Sequence, residues 1–162
     1  MGQAREVMNG MTEAIVRGDD EALRALYAPD AIADRPDGPR LEGAPAIVEY
    51  LMGFRRGFPD LSWENGRQYE SGDTAIDEGH LVGTHTETIT SPEGELPATG
   101  RAIRVRECDI VTVRDGAAVE HRFYYDQLDL LTQLGLAGSG AEAAAVPGPR
   151  AATDQAPARS TR

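Results

Sequence analysis

The sequence predicts an α+β fold in which helices cover one face of an antiparallel sheet. Three observations carry this prediction. Apolar residues at helical spacing lie before residue 58, apart from one leucine-rich turn near residue 130. From Leu61 onward the pattern changes to strand-like alternation. The strands are separated by short Gly- and Asp-containing turns, which join neighbours antiparallel.

The elements follow in order. Ala4, Met8, Met11 and Ile15 share one helical face, and Gly18 stops the run. Asp19 or Asp20 caps a second, short helix carrying Leu23, Leu26 and Tyr27, which ends before Ala28-Pro29. Gly43-Ala44-Pro45 opens a third with Ile47, Leu51 and Phe54 on one side, and Pro59 forces it to finish by Phe58. A first strand spans 61–70, interrupted near Asn65-Gly66, and Ser71-Gly72-Asp73 turns it into a second over 74–88. A loop containing Pro92, Gly94 and Pro97 leads to a third strand over 101–113. Arg114-Asp115-Gly116 then turns into a fourth over 119–125. Leu128, Leu130, Leu131 and Leu134 form a closing helical turn up to Gly135. Residues 137–162 are rich in Ala, Gly and Pro and hold Val146 as their one large aliphatic, too little to offset the entropy of ordering them. The expected organisation is one domain over 1–136 followed by a flexible tail.

Composition narrows the function. The 162 residues carry 16 basic and 27 acidic side chains, a formal net charge of −11 that disfavours a nucleic-acid partner. Every basic residue is arginine, which excludes Schiff-base and P-loop lysines. The single cysteine, Cys108, excludes an internal disulfide and a multi-thiolate metal site. No serine sits in a Gly-x-Ser-x-Gly setting. With neither a signal-peptide pattern nor an apolar run near membrane-spanning length, the expectation is a cytoplasmic protein with no membrane partner.

A series of local motifs occurs along this framework. Leu41-Glu42-Gly43 precedes the third helix and Phe58-Pro59-Asp60-Leu61 follows it. Then come Gly83-Thr84-His85-Thr86, Thr99-Gly100-Arg101, Asp115-Gly116, Glu120-His121, and Tyr124-Tyr125-Asp126-Gln127-Leu128 through Gln133-Leu134-Gly135-Leu136. In this order, from about residue 5 to residue 136, they resemble the SnoaL-like polyketide cyclases, a branch of the NTF2-like superfamily. The resemblance implies a cone-shaped barrel, with a strongly curved sheet around a pocket that the helices close, and a homodimer joined through the sheets. It also implies ring closure of a polyketide ester by intramolecular aldol condensation, without cofactor or metal, with an aspartate near the end of the last long strand as acid and base. Related cyclases there carry a motif similar to His-Arg-Asp with a second Asp three residues later. Here the run is His121-Arg122-Phe123 followed by Tyr124-Tyr125-Asp126. The catalytic position thus falls on Phe123, and a phenyl ring cannot move a proton.

Strand alternation offers a replacement. It places Val119, His121, Phe123 and Tyr125 on one face, and Val105, Glu107, Asp109, Val111 and Val113 on the matching face of the neighbouring strand. Asp109 falls where the resemblance implies a pocket histidine. A carboxyl among valines and aromatics has a raised proton affinity, so Asp109 with His121 is the expected acid–base pair and Tyr125 the expected donor to a developing oxyanion. The competing reading makes Asp109 and His121 hydrogen-bonded core residues. Phe123 lines the pocket, and Glu107 is a second carboxyl on the same face or a solvated rim residue. His85 either bonds a substrate carbonyl or braces loop 91–98. Asp126 either caps the last turn or faces substrate. Tyr27, Phe54 and Trp63 read as core packing, and no metal-ligand spacing is present. The expected activity is a cofactor-independent cyclase or isomerase of polyketide-type, antibiotic-like secondary metabolism acting on a small molecule. The alternatives are a non-catalytic ligand-binding or accessory module and an epoxide hydrolase-type enzyme.

Overall fold

A computed structural model of the chain describes residues 2–91 and 94–137. The helices are α1 (Gln3–Arg17), α2 (Asp20–Ala25), α3 (Ala44–Gly57) and α4 (Gln127–Gln133). The strands are β1 (Tyr27–Asp34), β2 (Leu41–Glu42), β3 (Ser62–Ser71), β4 (Thr74–Thr84), β5 (Ile89–Ser91), β6 (Gly94–Leu96), β7 (Ala102–Arg114) and β8 (Ala117–Tyr125). Six strands form one curved sheet in the order β2-β1-β8-β7-β4-β3, and β5 pairs with β6 as a separate hairpin. The α+β class is as the sequence predicts, with the N-terminal helices against the inner face of the sheet.

Local chemistry sets the boundaries. Asp19 caps α2 by accepting from the Ala22 N–H at 3.0 Å, and Pro45 occupies the first turn of α3. The interruption near Asn65-Gly66 is a register shift between Asn65 and Arg67 against β4. Opposite it, Gly79 lets Trp63 lie across the strand, because a Cβ there would sit 2.6 Å from the indole.

Several details differ from the sequence reading. Tyr27 begins a strand rather than closing a helix, and β1 pairs parallel with β8, the one parallel pairing in an otherwise antiparallel sheet. A strand containing Pro29 and Asp30 carries little strand propensity, and the β1–β8 register shifts between Tyr27 and Ile32 to accommodate it. The second predicted strand stops at Thr84, and part of the predicted loop after it folds into the β5–β6 hairpin. Val119 is not on the inner face. The register shifts between Thr112–Glu120 and Val113–Ala118, so Val119 is the extra residue of a bulge, and Ala118 and His121 both point inward. The predicted tail lies outside the described residues, apart from Ala137.

One buried ion pair ties α1 to the sheet. Arg5, 6 % exposed, contacts the Asp77 carboxylate and donates to the Tyr69 and Ile76 carbonyls at 2.6 and 3.0 Å. Asp77 is 2 % exposed. Removing the cation strands a buried carboxylate, so Arg5→Ala is expected to lower unfolding free energy by about 3–5 kcal/mol in urea titrations. A loss below about 1 kcal/mol contradicts a dry, paired Asp77.

Candidate active site

The inner face of the sheet meets α1, α3 and α4 around a cavity of about 80 Å³. Its walls are apolar, from Ile15, Phe54, Trp63, Val105 and Phe123 among others. The polar groups on it are few: Thr12, Tyr50, Glu107, Asp109, His121 and Tyr125. β7 supplies Glu107 and Asp109 two residues apart, hence on one face, and β8 supplies His121, Phe123 and Tyr125 by the same alternation. The pairing of β7 with β8 sets Asp109 directly opposite Phe123, and Glu107 opposite Tyr125.

Asp109 and His121 face each other across this space. His121 Nε2 lies 3.7 Å from Asp109 Oδ1, and neither atom has a hydrogen-bond partner among the described residues. The imidazole is 2 % exposed and is packed by Phe123, whose ring centroid is 4.0 Å away. Its other nitrogen, Nδ1, lies 2.6 Å from the Tyr27 hydroxyl. Burial pushes the Asp109 carboxyl up to about 8, and the Asp77 carboxylate opposite it on β4 adds to the shift. Burial pushes His121 down to about 3. At neutral pH the pair is therefore a protonated carboxyl beside a neutral imidazole. Burial, then the Asp109 charge, also raises Glu107 well above the usual carboxylate range.

This cavity adjoins a larger open space of about 670 Å³. Tyr50, Phe54, Tyr125 and Leu130 line both. The Tyr50 hydroxyl donates to the Asp37 carboxylate at 3.2 Å and lies 3.3 Å from the Tyr125 hydroxyl. Arg35 covers the Tyr50 ring with its guanidinium carbon 4.9 Å from the centroid. Beside β7, α4 is fixed where β8 has ended. The Gln133 side chain accepts from the Arg104 N–H at 2.7 Å and donates to the Arg104 carbonyl at 3.2 Å, which continues the ladder.

The structure thus brings Glu107, Asp109, His121, Phe123 and Tyr125 onto one cavity. Two proposed substrate-binding residues stand elsewhere. His85 is fully buried behind Phe58, stacked at 5.1 Å, and its Nδ1 accepts from the Thr99 N–H at 3.3 Å, so it braces the segment before β7 and does not line the cavity. Asp126 caps α4 by accepting from the Asp129 N–H at 3.0 Å, which commits its carboxylate to a helix end. Tyr125 keeps its place in the cavity wall, but its hydroxyl pairs with Tyr50. Sequence reasoning missed the polar roles of Tyr27 and Tyr50, because a tyrosine on an apolar face reads as packing and its hydroxyl partner is remote in the chain. No cluster of His, Cys, Asp and Glu able to hold a metal occurs among the described residues. None of the described helices is long and apolar enough to cross a membrane.

Comparisons with known proteins agree with this architecture. The SnoaL-like domain profile matches residues 8–121. IdmH of Streptomyces antibioticus, a proposed polyketide cyclase, is 30 % identical over 83 % of this chain and 99 % of its own, with a TM-score of 0.65. A proposed SnoaL-like polyketide cyclase from Jannaschia sp. CCS1 superposes with a TM-score of 0.72 at 19 % identity, over 82 % of this chain and 91 % of its own. AclR of Streptomyces galilaeus, a proposed hydroxylase, gives 0.67 at 22 % identity over 82 % and 95 %. No curated protein sequence matches the chain.

The raised Asp109 carboxyl has a signature in stability. Its folded pKa lies above its unfolded value, so its contribution to stability is complete below about 4 and is lost as the pH rises through 8. Asp109→Asn keeps the shape and cannot ionise. At pH 8 denaturant unfolding is expected to place this variant about 5 kcal/mol above the native chain, a gap that closes toward pH 4. A gap independent of pH contradicts the shift.

Proposed function

The chain belongs to the SnoaL-like domain family, and on that premise we propose that it closes a ring in a polyketide-type small molecule by proton transfer through Asp109, using no cofactor. The observation that carries this reading is the unpartnered Asp109 Oδ1 facing the unpartnered His121 Nε2 in an apolar cavity. A carboxyl that holds its proton at neutral pH is a general acid for a substrate oxygen. As the new ring bond forms at the adjoining carbon, that oxygen takes the Asp109 proton. The carboxylate so formed then recovers a proton from the attacking enol or hydroxyl group, so the cycle is proton-neutral. The scheme is the same whether the attacked carbon belongs to a carbonyl or an epoxide.

The position of the carboxyl supports the reading. The resemblance places the family's catalytic aspartate at Phe123, and Asp109 stands directly across the strand pair from Phe123. Two side chains opposite each other on one sheet face reach the same volume. The cavity volume sets the division of the substrate. About 80 Å³ holds little more than the reacting group, so the rest of the molecule occupies the 670 Å³ space beyond Tyr50 and Tyr125.

A ligand-binding module is the second reading, favoured by Phe123, which enlarges the apolar lining and supplies no proton chemistry. Ring closure of aromatic polyketide β-keto esters, followed by chromatography, separates the two. Asp109→Asn is expected to slow ring closure about 100-fold or more, and Glu107→Gln by less. The native rate should fall as the pH rises above about 8, where the acid is lost. Full activity in Asp109→Asn removes the mechanism, and ligand retention without turnover in the native chain selects the module.

A further inference from the structure

Tyr27 belongs to no part of the proton-transfer scheme above, yet its hydroxyl makes the shortest polar contact of the site. It lies 2.6 Å from His121 Nδ1, in a residue only 5 % exposed, and has no other hydrogen-bond partner among the described residues. The tyrosine and imidazole rings are held at an interplanar angle of 29°, 6.1 Å apart. The β1–β8 register shift between Tyr27 and Ile32 sets this placement, because the strand carrying Tyr27 does not run in step with the strand carrying His121.

Counting protons decides the direction of the bond. A neutral imidazole carries one N–H, and the phenol carries one O–H. If the ring proton sat on Nδ1, it would donate to the Tyr27 oxygen and leave the phenolic O–H with no acceptor in a buried site, an expensive arrangement. If the phenol donates to Nδ1, that contact is matched, the ring proton sits on Nε2, and the donor left over is the Asp109 hydroxyl, which opens onto the cavity and not onto packed side chains. Nε2 is the atom that faces the cavity, 3.7 Å from Asp109 Oδ1 and without a hydrogen-bond partner.

We propose that Tyr27 is a positioning residue that holds His121 as its neutral Nε2–H tautomer, so that the imidazole offers the cavity a hydrogen-bond donor and not a base. The inference rests on the proposed function for the identity of what enters, a substrate oxygen. It divides the labour at the site: Asp109 moves the proton, and His121 donates a hydrogen bond to the oxygen that receives it. A tautomer fixed from behind by a second buried group is the usual way an imidazole is kept in one role.

Tautomers are read directly from the imidazole nitrogens in long-range proton–nitrogen correlation spectra of the full chain labelled with nitrogen-15 in its three histidines. The signals lost in His121→Gln belong to His121. In the native chain at pH 7 we expect a protonated Nε2 and an unprotonated Nδ1 shifted by an accepted hydrogen bond. Tyr27→Phe removes the donor, and the proton population on Nε2 should fall while the backbone amide spectrum keeps its dispersion. A native Nδ1–H tautomer overturns the proposal, as does a folded Tyr27→Phe variant with unchanged ring signals. Should that variant fail to fold, the native spectrum alone decides. No substrate is required, so the two readings fail separately. An Nδ1–H imidazole sinks this inference even if Asp109→Asn abolishes ring closure, and an active Asp109→Asn sinks the proposed function with the tautomer intact.

Discussion

Two carboxyl groups, Asp77 and Asp109, stand opposite each other on the inner face of β4 and β7, and Arg5 reaches only the first. Burying a carboxylate without a cation is far more costly than protonating it. Asp109 has as its neighbour an imidazole that burial itself keeps uncharged, so the carboxyl retains its proton. The chemistry proposed for the cavity follows from this unequal sharing of one arginine. Arg5 makes Asp77 a fixed negative neighbour, and that neighbour adds to the upward shift of Asp109.

The same face accounts for how the proposed proton transfer dispenses with the aspartate that the family resemblance places at position 123. Phe123 and Asp109 are cross-strand partners, so a carboxyl moved from one strand to the next still opens onto the same cavity. Phe123 has its own part in this arrangement. Its ring packs on His121 at 4.0 Å and on Tyr50 at 5.8 Å, which fixes the imidazole plane and joins it to the wall the two cavities share. That wall is held by hydroxyl groups from α3 and β8 and by Asp37, beside the Arg35 guanidinium that covers Tyr50. The two adjoining spaces differ in character, one mostly apolar and one with charged residues in its lining, among them Arg35, Asp37 and Glu49.

Much of this was legible in the sequence wherever periodicity and turn chemistry act locally. The Asp115-Gly116 turn fixed how β7 and β8 pair, and the two-residue period then put Glu107, Asp109, His121, Phe123 and Tyr125 on one face. The Asn65-Gly66 irregularity was visible for the same reason. What was hidden depends on partners remote in the chain. β1 contains a proline and three small alanines and is defined by its pairing with β8, some ninety residues away, so Tyr27 passed for the end of a helix. The bulge at Val119 leaves no local mark, because one extra residue changes which neighbours face inward without altering composition. For His85 and Asp126 the sequence left a structural and a substrate-facing role open, and the Thr99 contact with Phe58 packing and the cap on α4 give each the structural one.

The claim on which the account turns is that the Asp109 carboxyl keeps its proton at neutral pH. Titrating the side-chain carboxyl carbons of the full chain by carbon-13 NMR, with Asp109 assigned through Asp109→Asn, reads this directly. The account predicts an inflection for Asp109 near 8, well above the ordinary aspartate value of 3.8. An Asp109 carboxyl that titrates near 4, and so is ionised at pH 7, would contradict it.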